Sequence, residues 1–163
     1  MDYSHLGGGL VRMLERLKAE GTATKDPEAD AFLRADGNAA LIGLLLDQRM
    51  LAESAFIGPL KLKRRLGHLE MDRIAKMDPD DFKAVFGEKP AVHRFTNSMA
   101  ARVQTLARIL ADEYGGNAEN LWGDGVGLDE IQRRVRRLPG FGPTKAKKVG
   151  LVLHYFGHRD FQD

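Results

Sequence analysis

Apolar residues recur at spacings of three and four along most of the chain, and no stretch alternates apolar with polar as a half-buried strand would. The pattern predicts an all-α protein of about eight to ten short helices. Leu6, Leu10, Met13, Leu14 and Leu17 mark an amphipathic helix over 4–19, weakened at its start by Gly7, Gly8 and Gly9. A polar linker at 21–27 and a short helix at 28–34 follow, and then the turn signal Asp36-Gly37-Asn38. The next segment, 38–51, is apolar almost all round until Gln48 and Arg49, which places it at the centre of a core. Further helices are expected at 53–66, broken by Gly58-Pro59 and stopped by Gly67, and at 71–77. Another is expected at 79–86 behind the cap Asp78, and a long one at 98–114 capped by Asn97 or Ser98. Residues 88–97 and the stretch around Trp122 read as loops, while Trp122, Phe56, Phe82 and Phe86 read as core.

The last part, 128–157, reads as helix, turn, helix. Ile131, Val135 and Leu138 form an apolar stripe before the turn, and Val149, Val152 and Leu153 form one after it. Between them stand Leu138-Pro139-Gly140-Phe141-Gly142, and Pro143 suits a first helical turn, where a missing N–H costs nothing. Charge sharpens this picture. The whole chain carries a formal net charge of only +2. Yet Arg133, Arg134, Arg136, Arg137, Lys145, Lys147, Lys148 and Arg159 fall in a stretch with no acidic residue. Glycines before a helix N-terminus, with cations around them, suit a phosphate.

Composition excludes several classes. At 163 residues the chain can bury a real core, and 43% hydrophobic with 29% charged residues describes a globular protein. The absence of cysteine rules out disulfides, thiol catalysis, Cys-ligated zinc and Cys-ligated iron–sulfur clusters. The five histidines have no metal-ligand spacing, so no metal site is expected. With no apolar run of transmembrane length and no signal-peptide pattern, a cytoplasmic, nucleoid-associated protein is expected.

Leu138-Pro139-Gly140-Phe141-Gly142 between two helices resembles the hairpin of the helix-hairpin-helix DNA glycosylase superfamily, which includes endonuclease III-like enzymes. The segment 40–48 is similar to that family's first barrel helix, which ends in a Gln at the DNA. The segment 97–110 followed by Tyr114-Gly115-Gly116 is similar to the helix before its hairpin. The resemblance implies a multi-helix barrel facing a second lobe, with a damaged base flipped into the cleft and its N-glycosidic bond cleaved. In that scheme 28–163 is the glycosylase-like domain, with the helix-hairpin-helix at 128–157, and 1–27 is part of the second lobe. The iron–sulfur cluster of the endonuclease III branch is excluded, and most of the usual C-terminal half-lobe is missing, so a second chain completing the cleft is one expectation. Double-stranded, damaged DNA is the expected partner.

Carried over residue by residue, the resemblance assigns DNA contact to Leu138, Gly140, Phe141 and Gly142 through the hairpin. A monovalent cation can sit on the hairpin carbonyls, and no other cofactor is implied. Lys145, Lys147 and Lys148 are the further phosphate partners. Thr144 stands where bifunctional relatives carry a nucleophilic lysine, which implies a monofunctional enzyme using water. Lys145 is next along, but one helical residue turns a side chain by roughly 100°. The catalytic carboxylate is expected at Asp163, which fits the family's spacing, with Asp160 as second candidate. Gln48 probes the vacated base position, and Phe95 matches the apolar wedge. Arg94 and His93 beside it reach for phosphate or the opposite strand. For each the plainer reading stays open: a solvated helix end for Gln48, a core anchor for Phe95, solvated tail acids for Asp160 and Asp163. A non-catalytic module that recognises distorted duplex through the same hairpin is the alternative function. No motif encodes which base is the substrate.

Overall fold

The computed structural model describes residues 1–3 and 5–161. Those residues form helices α1 (Gly9–Glu20), α2 (Pro27–Ala35), α3 (Gly37–Leu46), α4 (Ala52–Leu66), α5 (Met71–Lys76), α6 (Pro79–Gly87) and α7 (Thr96–Glu113). A short 3₁₀ turn (Ala118–Leu121) leads to α8 (Leu128–Arg136), α9 (Pro143–Lys147) and α10 (Val149–Tyr155). The protein is all-α, with no strand among the described residues, as the hydrophobic spacing requires.

The uniformly apolar segment becomes α3, buried from Ala39 to Leu46 and packed against α2, α4, α7 and α10. Its start is fixed by polar groups. Asp36 ends α2 and caps α3, accepting the Asn38 and Ala39 N–H groups at 2.8 and 3.3 Å. Asn38 then clamps the far side of the core, donating to the Gly116 carbonyl at 3.0 Å and accepting the Ala118 N–H at 2.7 Å. The N-terminal segment shares the same core through Tyr3, Leu10, Met13 and Leu14. Trp122, Phe56, Phe82 and Phe86 are core residues, as expected.

Several boundaries differ from the sequence reading, each for a local reason. Gly8 has φ 104°, so α1 starts at Gly9. Ser4, where that helix was expected to begin, lies outside the described residues. α3 stops at Leu46, and 47–51 forms a turn in which Arg49 takes φ 55°. α4 runs unbroken through Gly58-Pro59. Gly58 lets Leu46 and Val92 lie against the helix, since a Cβ there would stand 2.7 Å from Leu46 Cδ1. α7 begins at Thr96, so Asn97 and Ser98 fall inside its first turn and no side chain caps it. The second hairpin helix is two pieces, α9 and α10, meeting at Lys148.

The α3–α4 crossing depends on Gly43. Gly43→Ala would put its Cβ 2.5 Å from Phe56 Cδ1. Phe56 is stacked on Phe156 with ring centroids 5.9 Å apart, which limits its retreat. The strain belongs at the upper end of the roughly 1–3 kcal/mol that overpacking costs. It exceeds the ~1 kcal/mol of helix propensity that alanine returns. Urea unfolding of Gly43→Ala should show a lower midpoint at unchanged slope.

Candidate functional site

A helix leaves its last carbonyls without partners, and a helix that ends inside a protein must find donors for them. α3 ends this way. The Asp47 N–H returns to the Leu44 carbonyl at 3.2 Å, and the Gln48 N–H to Leu46 at 2.7 Å. Lys145, from the second hairpin helix, donates its Nζ to the Leu45 carbonyl at 2.9 Å. A cation there also meets the negative end of the helix dipole. The loop before α7 supplies the last donor. His93 Nδ1 accepts the Phe95 N–H at 2.9 Å, so the proton sits on Nε2, which donates to the Gln48 carbonyl at 3.0 Å. Burial pushes the Lys145 amine down to about 8, Arg102 and Lys148 push the same way, and Asp47 opposes them.

The hairpin turn closes by a Phe141 N–H to Leu138 carbonyl bond of 3.2 Å, with Pro139 and Gly140 at its centre. Gly140 is required twice. Its φ is 83°, and a Cβ would meet Leu45 Cδ1 at 2.5 Å. Gly142, by contrast, faces open space. The N–H groups of Gly140 and Gly142 have no acceptor among the described residues. Between this turn and the end of α3 lies a groove of about 460 Å³, lined by Gln48, Arg102 and the hairpin from Leu138 to Lys145. Gln48 Oε1 accepts a hydrogen bond from Arg102 Nη1 at 2.9 Å. Gln48, Gly140, Gly142, Thr144 and Lys145 are therefore brought to one place.

Other expected residues go elsewhere. The side chains of Leu138 and Phe141 are buried, so they offer only main chain. Thr144 is exposed in the groove, and the turn of the helix brings the Lys145 amine, not merely Thr144, against α3. Lys147 faces a second depression with Arg133, Arg136 and Asp129. The basic run is not unopposed: Arg133 pairs with Glu130, and Arg134 with Asp124 and Glu130, acids lying just before it in sequence. His93 is 0% exposed and so cannot reach a phosphate; it is a staple for α3. Phe95 is half-buried against the core beside His93, with the exposed Arg94 guanidinium 5.1 Å from its ring. That favours its core-anchor reading. Asp160 is exposed, 3.7 Å from His154 Nδ1, and outside the groove's lining. That nitrogen also accepts the Phe161 N–H at 3.1 Å. Asp163 lies outside the described residues.

Two residues at the α3–α4 turn escaped the sequence reading. Leu51 is 69% exposed, a large apolar side chain left in solvent. Asp47 is half-buried, and burial raises its carboxyl above the usual value although Lys148 and Lys145 pull it down. Its signal was available: a charged residue flush against a buried apolar run, with no turn residue between. Among the described residues no group of three His, Asp or Glu side chains could hold a metal ion, and no helix is long and apolar enough to cross a membrane.

Two titrations follow. Burial, with Lys145 and Arg94 nearby, lowers the His93 pKa against the pull of the carbonyls it serves. The unfolded chain therefore binds a proton more readily, so this contribution to stability is present above about 6.5 and is lost as pH falls below it. The melting temperature of wild type should drop more between pH 7 and 5 than that of His93→Gln. In the second, the Lys145 amine should titrate near 8 by NMR of methylated lysines, apart from the exposed lysines.

No family model, no curated protein and no solved structure matches the chain.

Proposed function

We propose that the chain is a helix-hairpin-helix DNA glycosylase-like protein of base excision repair, which holds damaged duplex DNA and hydrolyses the N-glycosidic bond of a flipped base. The observation that carries this reading is the groove itself. Free N–H groups at Gly140 and Gly142, the Lys145 and Arg102 cations and the amide of Gln48 all converge there. Backbone donors and cations position a phosphate backbone, and an amide at a helix end is suited to reading base edges. The division into a barrel domain at 28–163 and a partial lobe at 1–27 belongs to the same proposal, as does a second chain over the cleft. Lys148 and Arg94 line other concavities and supply further cations for phosphates, and Lys147 with Arg136 serves a neighbouring turn of the duplex. Leu51 takes the wedge role that Phe95, packed against the core, is poorly placed to fill.

Water is the nucleophile in this reading, because Thr144 holds the lysine position and the Lys145 amine is committed to the Leu45 carbonyl. The exposure of Asp160 away from the groove favours the second reading, a module that binds distorted duplex without cutting it.

Duplexes carrying uracil, alkylated purines, oxidised bases or mismatched adenine, followed by alkali, separate the two. Abasic product on one of them is expected; tight binding with no product on any leaves only the binding module. Binding should weaken steeply with salt, and Gly140→Ala should weaken it on every duplex. Borohydride should trap no adduct. An adduct that disappears in Lys145→Ala would show that the amine, with its pKa near 8, is a nucleophile after all.

A further inference from the structure

The turn after α3 also lines a second concavity of about 390 Å³, within the range of small-ligand pockets, roughly 300–1,000 Å³. Arg12 of α1, Asp47, Arg49, Leu51, Glu53 and Lys148 contribute to its wall. Consecutive residues at the helix end diverge: Gln48 faces the hairpin groove and Asp47 faces this chamber. Lys145 lies close enough to feel both Asp47 and Arg102, so the two concavities share one charged partition.

The two carboxylates of the chamber are not equivalent. Glu53 is engaged by Arg16 and packed in α4. The Asp47 carboxylate makes no hydrogen bond or ion pair with any described residue, although it is half-buried, and the same holds for the side chains of Arg12, Arg49 and Lys148. Lys148 and Lys145 offset its charge only from a distance, and a desolvated carboxylate with no hydrogen bond costs stability, so it is available to a ligand. Arg49 beside it is held at φ 55°, a conformation that costs a non-glycine residue energy and clusters at working sites. The exposed Leu51 stands at the same turn.

We propose that this chamber receives the extrahelical base and sugar of a bound duplex, and that Asp47 is the carboxylate that acts there. This rests on the glycosylase reading above. The C1′–N bond breaks with its electron pair going to the base, and a water oxygen bonds to C1′. The Asp47 carboxylate takes the proton that the water loses and returns it, directly or through solvent, to the nitrogen that left. The products are the free base and an abasic sugar, with no other reactant needed. Arg12, Arg49 and Lys148 face the phosphates on either side of the flipped nucleotide, and Leu51 fills the gap it leaves. Burial, which raises the Asp47 carboxyl, suits it to carrying a proton in this cycle.

The test uses the full chain, the panel of damaged duplexes, and a duplex with 2-aminopurine at a mismatch, whose fluorescence rises when the base leaves the stack. Asp47→Asn and Asp47→Ser are compared with wild type after their melting temperatures show that they fold. Both should still bind duplex and flip the base, yet excise about 100-fold or more slowly. They should also lose the limb of the pH–rate profile that wild type owes to a carboxyl group. Excision by either variant at a rate close to wild type overturns the role of Asp47 and leaves the glycosylase reading standing. Loss of excision in Asp160→Asn, with Asp47→Asn active, does the same and returns the role to the C-terminal segment. A wild type that binds and never excises overturns both.

Discussion

The organisation of this protein depends on where α3 ends. A helix apolar on every side is stable only if its whole surface is covered, and covering it buries its last carbonyls as well. The Asp47 and Gln48 N–H groups meet the Leu44 and Leu46 carbonyls, and the other donors at this end come from far along the chain. Lys145 reaches back across a hundred residues to Leu45, and His93 across forty-five to Gln48. These two bonds fasten the hairpin and the loop before α7 to one point. Residues distant in sequence converge there because satisfying the helix end requires it.

The same constraint explains the electrostatics. Holding a lysine against the helix terminus desolvates its amine, and closing the turn after Leu46 leaves Asp47 half-buried beside it. The two shifts run in opposite senses, the amine downward and the carboxyl upward, because burial disfavours the charged form of each. Such perturbed pairs mark working sites more often than idle surface. Arg133 and Arg73, by contrast, lie in exposed pairs with nearby acids, and pairs of that kind contribute little.

Hydrophobic spacing was enough to read the helical class, the burial of α3 and the hairpin turn, because each is a local consequence of side-chain order. Local order could not show that α4 passes through Pro59, or that Leu46 and Val92 pack onto Gly58. Nor could it show His93 as a staple. A histidine beside an arginine and a phenylalanine in a loop looks like surface until the Gln48 carbonyl is placed against it. Asp47 was legible as a charge flush against an apolar run, but the concavity it lines was not. The rotation that separates Thr144 from Lys145 was legible, but which of them would meet α3 was not. The positions of helix ends relative to one another are tertiary facts.

The central claim is that the end of α3 and the hairpin form one DNA-binding site. Amide NMR of the protein titrated with a duplex containing a stable abasic-site analogue tests it most directly. The account predicts that Asp47 to Leu51 and Gly140 to Lys145 shift together, at the same DNA concentration, while α5 and α6 stay still. Shifts confined to Arg133, Arg136 and Lys147, or hairpin shifts without those of the α3–α4 turn, would contradict it.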